Sequence, residues 1–371
     1  MEIIQEGMSK FYASRDKNGK ISKELDVFYN PVMKFNRDVS ITLLNVINQS
    51  NMQMCDLMAG SGVRSLRFIK ELKKGVIGKL VVNDYDEGFI RLFKKNLELN
   101  DIDETKSNVY VYSMDANKLL LESTGFDYID IDPFGSPNDF LENSIVRLSR
   151  EGILAVTATD TAPLAGTFPD ACIRKYWAKP LRNHLMHEIG LRILIRKIQL
   201  IGAQHDKALI PMYSYYKDHY FRVFFKCVKG KKECDNILRQ HEYLLYCNTC
   251  QSFLTSEINQ CMCCNQQMEY AGPLWTGQLY DSDIAFKIFK MEKSNSLLKI
   301  IADESLIKSI GFYDIHELAK KHKFLIPNYE KLLLELNKLG KSVRTHFSNN
   351  GIKSELSVKE ILSVLNVLKD K

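Results

Sequence analysis

From residue 52 to about residue 225, short apolar runs alternate with segments whose apolar residues recur at helical spacing. The runs have the length of strands, and each of the first four is followed by a segment of helical periodicity. Strands separated by helices in this way form βαβ units, so the pattern predicts an α/β fold with a mostly parallel sheet. The predicted strands are residues 52–58, 79–84, 108–115, 126–132 and 152–160.

The alternation stops near residue 228, where a charged segment precedes a cluster of cysteines. A chain of 371 residues is long for a single core, which favours more than one domain. We predict an N-terminal extension at residues 1–50, a Rossmann-like domain at residues 51–228, and a smaller α+β C-terminal domain at residues 229–371.

Composition indicates a soluble globular protein, with 45% hydrophobic and 26% charged residues. No stretch reaches the roughly 18 to 20 apolar residues of a membrane span, and the start lacks the apolar run of a signal peptide. We therefore expect a cytoplasmic protein with no membrane partner. The net charge of +6 points towards a polyanionic partner.

A glycine-containing turn, DLMAGSGVRSLRF, ends the first predicted strand and opens a helix. Gly60 and Gly62 permit a tight turn and a close approach of a ligand to the backbone. Ser65 stands where the dinucleotide-binding fingerprint requires a third glycine, which disfavours pyrophosphate binding. Asp84 ends the next strand at a distance from the glycines that suits ribose hydroxyls, and Asp115 ends the third.

Three features together resemble the S-adenosylmethionine pocket of Rossmann-like methyltransferases: the glycine-containing turn, Asp84 as the acid for the ribose, and Asp115 as the acid at the end of the third strand. In those enzymes the third acid or its neighbour meets the adenine amine. Met58 stands at the first glycine of the usual DxGxGxG turn, so this turn departs from the family pattern. The alternative is an ordinary strand–helix turn in which the acids cap helices.

The fourth predicted strand ends in IDIDPFGSP, which resembles the (D/N)PP(Y/F) loop of methyltransferases that modify exocyclic amines of bases. Such an amine is a poor nucleophile because its lone pair is delocalised into the ring. Asp132 and the carbonyl of Pro133 can accept its N–H bonds and stabilise the positive charge that grows during methyl transfer. Phe134 offers a face for stacking an extruded base. The alternative is an aspartate that caps a helix before a proline turn.

Five separated segments together resemble the tRNA guanine-N2-dimethyltransferases, which modify guanine 26 of tRNA: FYNPVMKFNRD, DLMAGSGVRSLRF, DIDPFGSP, VTATDTAPLAG and YYKDHYFRVF. The resemblance runs from about Phe28 to the C-terminus. It implies transfer of one or two methyl groups from S-adenosylmethionine to the guanine N2 amine, with residues 1–50 contributing to the active site. The implied catalytic loop runs from Asp132 to Phe134. The implied methyl-donor contacts are Arg37, Arg67, Asp84, Asp115 and Ala116.

Paired cysteines in the C-terminal part predict a zinc site. The spacing is Cys247-x2-Cys250, then ten residues, then Cys261-x2-Cys264. Two such CxxC pairs place four thiolates around zinc and leave no open coordination position, so the expected role is structural. We treat Cys263 as a bystander. The alternative is a reduced loop with incidental thiols.

Residues 174–202 carry seven basic residues against one acid, Glu188, interleaved with apolar positions. This composition predicts a helix with one buried face and a basic face for phosphate contacts. The expected partner is tRNA, and no protein partner is implied. The alternatives are another guanine- or adenine-amine RNA methyltransferase and a non-catalytic zinc-knuckle RNA-binding protein. The seven basic residues are Arg174, Lys175, Lys179, Arg182, Arg192, Arg196 and Lys197.

Overall fold

The structure is a computed structural model that describes residues 1–14, 27–256 and 259–369. The chain divides into two units, each made of segments that are discontinuous in sequence. The predicted three-part division at residues 50 and 228 stays a prediction. The first unit contains Met1–Ala158, Gln204–Ile210 and Phe224–Gly230; the second contains Thr159–Ala203, Pro211–Val223 and Lys231–Lys371.

The first unit begins with an antiparallel hairpin of β1 (Glu2–Glu6) and β2 (Ser9–Ala13). A 3-10 helix (Pro31–Met33) then leads into α1 (Lys34–Ile47). Asn30 starts this helical segment because its side chain accepts a hydrogen bond from the Val32 N–H, and a proline follows it.

The central sheet has seven strands in the order β5-β4-β3-β6-β7-β9-β8. The pairs β3–β4, β4–β5, β3–β6 and β6–β7 are parallel, which confirms the predicted mostly parallel sheet. From β3 the chain builds outwards through β4 and β5, then returns to place β6 on the other side of β3. The crevice at such a reversal, outside the carboxyl ends of the strands, is where open α/β sheets bind ligands. The strands are β3 (Met52–Asp56), β4 (Ile77–Asp84), β5 (Val109–Ser113), β6 (Phe126–Ile131), β7 (Leu148–Ala158), β8 (Lys207–Lys217) and β9 (Tyr220–Lys229).

Helices follow the first four of these strands, as the helical periodicity predicted. The central strands β3 and β6 are almost continuously buried, whereas the edge strand β5 is buried only at Val109. Leu80, Val82, Ile129 and Ile131, for example, are fully buried. Near-continuous apolar strands are typical of a parallel sheet that is covered on both faces. The helices are α2 (Val63–Glu71), α3 (Phe89–Leu99), α4 (Ala116–Glu122) and α5 (Asn138–Arg147).

The second unit is a mixture of helices and two small antiparallel sheets, in agreement with the predicted α+β class. One sheet has the order β11-β10-β12 and the other β13-β15-β14. A core that includes Leu318, Leu332, Ile352 and Ile361 joins the second sheet to its helices. The strands are β10 (His241–Tyr246), β11 (Phe253–Thr255), β12 (Glu269–Trp275), β13 (Tyr313–Asp314), β14 (Ser342–Arg344) and β15 (Gly351–Ser354). The helices are α6 (Thr161–Leu164), α7 (Pro169–Tyr176), α8 (Met186–Gln204), α9 (Lys231–Leu238), α10 (Ser282–Met291), α11 (Ser296–Glu304), α12 (Ile315–His322), α13 (Tyr329–Leu336) and α14 (Val358–Lys369).

Helix α8 is buried on nearly all sides, so the prediction of a single buried face is wrong. Its Glu188 carboxylate accepts hydrogen bonds at 2.9 Å from Arg192 Nε and from Lys353 Nζ. Burial alone would raise the pKa of Glu188, but Lys353 and Arg192 lower it to about 2. Arg192 also donates to the carbonyl oxygens of Trp275 and Gly277. The guanidinium of Arg192 is therefore committed to internal contacts.

In the part of the chain that the structure describes, no helix combines the length and apolar character that crossing a membrane would require.

Candidate active site and metal centre

A buried asparagine in β4 ties together the loops that follow β3 and β5. Asn83 Nδ2 donates to the carbonyl oxygens of Leu57 and Met114, each at 3.0 Å, and the backbone carbonyl of Asn83 accepts from the Ala59 N–H at 2.8 Å. Two loops are thereby fixed to β4 at one edge of the sheet. The sequence analysis missed this role, because an asparagine within an apolar strand carries no local signal of what it will contact.

The turn after β3 needs its glycines. Gly60 and Gly62 have φ angles of 57° and 77°, in the left-handed region that favours glycine. A Cβ atom on Gly62 would collide with the Phe93 ring, and one on Gly60 would lie 3.3 Å from the carbonyl oxygen of Phe28. The Gly60 N–H donates to Asp84 Oδ2 at 2.7 Å. The glycine-containing turn is therefore in direct contact with Asp84, the acid predicted to bind the ribose.

The other predicted donor residues on this edge occupy the start of α4. Asp115 is exposed and caps that helix, since its Oδ1 accepts from the Lys118 N–H at 2.9 Å. Ala116 is buried as the first residue of the helix. Asp115 therefore has the helix-capping role that was the alternative considered from the sequence. The capping hydrogen bond uses its Oδ1 atom. Asp84 is half-buried, and its Oδ1 accepts from the Asp86 N–H at 3.1 Å.

Arg37 and Arg67 meet at one buried carboxylate, Glu6. Arg37 Nε donates to Glu6 Oε1 at 2.7 Å, and Arg67 Nη1 donates to the same oxygen at 2.8 Å. Arg67 also forms a two-point ion pair with Glu71 and contacts Asp38. Burial alone would raise the pKa of Glu6, but chiefly Arg37, with Arg67, lowers it to about 2. Both arginines are therefore held rigidly by internal carboxylates.

The Asp132 carboxylate is held by an arginine that the sequence analysis did not single out. Arg64, near the start of α2, forms an ion pair through Nη2 with Asp132 Oδ2. Its Nη1 lies 3.2 Å from the buried Asp130 carboxylate, and Ser40 and Asn36 accept further hydrogen bonds from the guanidinium. Within the described residues, Asp132 Oδ1 accepts no hydrogen bond. In this part of the chain, Arg64 fixes one oxygen of Asp132 and the other oxygen has no hydrogen-bond donor.

A third carboxyl group lies at the end of β3 beside this pair. Asp56 is buried and its Oδ2 accepts from the Ser65 hydroxyl at 2.8 Å. Burial raises the pKa of Asp56 to about 7, although the Arg64 charge opposes the shift. Three carboxyl groups, those of Asp56, Asp130 and Asp132, therefore lie around the single guanidinium of Arg64 at this edge of the sheet.

The rest of the IDIDPFGSP loop presents an aromatic ring. Pro133 is buried, and Gly135 has a φ angle of 82°. Phe134 is 50% exposed and contacts Phe28 edge to face, with ring centroids 4.4 Å apart and an interplanar angle of 79°. The ring that the sequence analysis assigned to base stacking therefore lies at the surface next to Asp132.

In the second unit, the four predicted ligand atoms converge. The Sγ atoms of Cys247, Cys250, Cys261 and Cys264 all lie within 4.8 Å of one another. Cys247 Sγ lies 3.4 Å from Cys264 Sγ, and Cys250 Sγ lies 3.3 Å from Cys261 Sγ. Tetrahedral zinc with Zn–S bonds of about 2.3 Å would place its sulfurs roughly 3.8 Å apart. These residues could hold zinc.

Each CxxC pair forms a turn of the same design. The carbonyl of Cys247 accepts from the Gln251 N–H and that of Cys261 accepts from the Asn265 N–H, both at 2.8 Å. Gln251 and Asn265 have φ angles of 61° and 60°. Cys263 is exposed and only its backbone N–H approaches Cys261 Sγ, so it takes no part in the cluster.

The geometry can be compared with known proteins. A family profile described as N2,N2-dimethylguanosine tRNA methyltransferase matches residues 7–366. The chain belongs to this family. A relative from Aquifex aeolicus, a tRNA (guanine(26)-N(2)/guanine(27)-N(2))-dimethyltransferase, is 36% identical over 99% of this chain and 96% of its own length. The tRNA (guanine(26)-N(2))-dimethyltransferase of Methanosphaera stadtmanae is 33% identical over 100% of this chain and 98% of its own.

A solved structure of a family member has the same fold as this chain over nearly its whole length. Trm1 from Pyrococcus horikoshii in complex with S-adenosyl-L-methionine is 33% identical, with a TM-score of 0.85. The match covers 98% of this chain and 99% of that one. The predicted family and fold class are therefore confirmed.

Proposed function

We propose that this chain transfers one or two methyl groups from S-adenosylmethionine to the exocyclic N2 amine of guanine 26 in tRNA, giving N2-methyl- and N2,N2-dimethylguanosine. The observation that carries the proposal is the Asp132 carboxylate at the carboxyl end of β6, held through one oxygen by Arg64. Family membership favours this reaction over a non-catalytic zinc-knuckle RNA-binding protein.

The residues at the sheet edge fit the methyl donor, which supplies an electrophilic methyl group when bound. The turn at Gly60 and Gly62 has no space for side chains, so a ligand can approach its backbone closely. Asp84 would accept hydrogen bonds from the ribose hydroxyls, and Asp115 or Ala116 would meet the adenine amine. Arg37 and Arg67, fixed by Glu6, would present positive charge to the donor's carboxylate.

Asp132 would act on the guanine amine through its available oxygen. Oδ1 accepts an amine N–H bond, which orients the nitrogen lone pair towards the methyl group. As the methyl group leaves the sulfonium sulfur of the donor for the nitrogen, positive charge develops on the nitrogen, and the Asp132 carboxylate stabilises it. The displaced N–H proton then leaves through the Asp132 carboxylate to solvent. Pro133 would hold its carbonyl as the second acceptor.

Phe134 would stack on the guanine once the base has left the helical stack. Half of the ring is exposed, and Phe28 contacts it edge-on. Extruding a base is costly, and aromatic stacking offsets part of that cost.

We further infer that tRNA is the macromolecular partner, that the enzyme acts in the cytoplasm, and that the four-cysteine cluster holds a structural zinc ion. Residues 1–50 are proposed to contribute to the active site through Arg37, residues 51–228 to hold the methyl donor, and residues 229–371 to contact tRNA. No further protein is required by the reaction.

The direct test is incubation of unmodified tRNA with the protein and S-adenosylmethionine, followed by mass spectrometry of the nucleosides. We expect N2-methylguanosine first and N2,N2-dimethylguanosine later. Mapping of RNase fragments would place the modification at guanine 26 and would report whether guanine 27 is also modified. A methylated adenosine, or no methylated nucleoside, would contradict the proposed function.

Asp84→Ala is expected to weaken methyl-donor binding about 10-fold, because the ribose loses a charged acceptor and the turn loses its contact with Gly60. Turnover at saturating donor should fall less. Isothermal titration with S-adenosylmethionine measures the effect, and Asp86→Ala, which removes a nearby exposed carboxylate, is the control. Unchanged donor affinity in Asp84→Ala would remove Asp84 from the proposed pocket.

A further inference from the structure

Three aromatic side chains of the second unit are unusually exposed. Trp177 and Tyr243 are each 48% exposed and Tyr270 is 41% exposed. Trp177 ends α7 with a φ angle of 57°, in the left-handed region where helices usually end in glycine. A large aromatic residue that is half exposed in this strained position gains little from burial. The presence of a tryptophan at this position therefore points to a role other than packing.

Each end of this exposed region pairs an aromatic ring with a lysine. Lys197 Nζ lies 2.8 Å from the centre of the Trp177 ring, and Lys179 Nζ lies 3.9 Å from that of Tyr270. Arg196 Nη1 donates to the carbonyl oxygen of Trp177 at 3.2 Å. Throughout the described ranges, no carboxylate forms an ion pair with Lys179, Arg196 or Lys197. Within those ranges, the three cations are therefore not neutralised.

Backbone contacts join the two ends into one surface. Lys179 exchanges two backbone hydrogen bonds with Gly272, at 2.8 and 2.7 Å, which places the segment after α7 beside strand β12. Tyr270 lies on that strand, and its ring contacts Tyr243 edge to face with centroids 5.8 Å apart. We call the set of Trp177, Lys179, Arg196, Lys197, Tyr243 and Tyr270 the aromatic–cation surface.

The charges on this surface persist at neutral pH. Burial, together with the neighbouring Arg196 charge, lowers the pKa of Lys197 to about 8, so most Lys197 side chains still carry a proton at pH 7. Burial also lowers the pKa of Arg196, which stays a cation because guanidinium titrates far above neutral pH. A cation beneath an exposed indole keeps positive charge close to any group stacked on that ring.

We propose that the aromatic–cation surface binds the tRNA substrate: Lys179 and Arg196 contact phosphates, the exposed rings stack on unpaired bases, and the buried Lys197 supplies positive charge beneath the Trp177 ring. This inference rests on the proposed function and adds a second, non-catalytic RNA contact to it. Uncompensated cations next to aromatic faces match single-stranded RNA, which offers phosphates and unstacked bases together. An acidic protein surface would match the charges but would leave the strained, exposed indole without a purpose.

The test measures tRNA binding without methyl donor, by fluorescence anisotropy of labelled unmodified tRNA. We expect Tyr270→Leu and Trp177→Leu each to weaken binding at least about 5-fold, the scale of one lost base stack. Lys179→Ala should lower the slope of log affinity against log salt by about one. Tyr110→Leu is the matched control, since Tyr110 of the first unit is 47% exposed and has Lys79 Nζ 4.8 Å above its ring.

The outcome separates this inference from the proposed reaction. Nucleoside mass spectrometry on the wild-type protein tests the reaction, whereas the binding measurement tests the surface even if no methyl group is transferred. For the surface variants we expect a higher KM for tRNA, unchanged kcat at saturating tRNA and unchanged affinity for S-adenosylmethionine. Thermal melting checks that each variant is folded. Folded Tyr270→Leu and Trp177→Leu variants that both bind tRNA as tightly as Tyr110→Leu would overturn the inference.

Discussion

Asp132→Asn is expected to lower the rate of methyl transfer, at saturating tRNA and methyl donor, by about 100- to 1000-fold. The substitution keeps the shape of the side chain but removes the negative charge that stabilises the developing cation on the guanine nitrogen. Loss of one preorganised electrostatic contact of this kind typically has an effect of that size. Single-turnover kinetics with unmodified tRNA measure it.

The matched control is Asp127→Asn, at the amino end of the same strand. Asp127 Oδ2 accepts from the Gln53 N–H at 2.9 Å, a bond that an asparagine oxygen can retain. Both variants should bind S-adenosylmethionine with nearly wild-type affinity. A rate for Asp132→Asn within threefold of that for Asp127→Asn would exclude the proposed role, because Asp132 would then be only one member of the Arg64 ion cluster.

Residues at the carboxyl ends of the strands were predictable because a local pattern is enough to find them. Once the apolar runs are assigned to parallel strands, Asp84 and Asp132 must lie at one edge of the sheet. The structure places both there, each half-buried. The same local reasoning located the five predicted strands of the first unit and the four cysteines. The spacing of the cysteines is enough to predict two CxxC turns that could hold one ion.

The partners of those residues were not predictable, because they depend on contacts between distant parts of the chain. Arg64 is 68 positions from Asp132, and Glu6 is 61 positions from Arg67. A glutamate in an N-terminal hairpin gives no sign in the sequence that it will neutralise two arginines. The resemblance identified Arg37 and Arg67 as ligand contacts, but the carboxylate that holds them could be found only in three dimensions.

Helix α8 shows how the same limitation produced an error. Its basic residues look solvent-exposed in sequence, yet Glu188 pairs with Lys353, which is 165 positions away, and Arg192 joins the same buried network. Part of the predicted basic face is therefore internal. Lys179 and Arg196, which have no carboxylate partner within the described residues, lie instead beside the exposed aromatic rings.

Cys247→Ser together with Cys250→Ser is expected to remove one zinc ion per chain and to lower the melting temperature of the second unit by roughly 10 °C. The local core at the cluster is small, with Leu245 and Met268 among the few apolar residues packed on the cysteines. We expect so small a core to depend on a metal ion for its stability. Elemental analysis and calorimetry measure the two effects.

The same variant should bind tRNA more weakly and still bind S-adenosylmethionine, because every proposed donor contact lies in the first unit. Four thiolates leave no open coordination position, so the ion can organise the fold but cannot activate a nucleophile. Cys263→Ser is the control, since this exposed neighbour has no place in the cluster. We expect it to retain zinc, stability and activity. Absence of zinc from freshly purified, unchelated wild-type protein would refute the site. Loss of S-adenosylmethionine binding in the double variant would show instead that the two units depend on each other for folding.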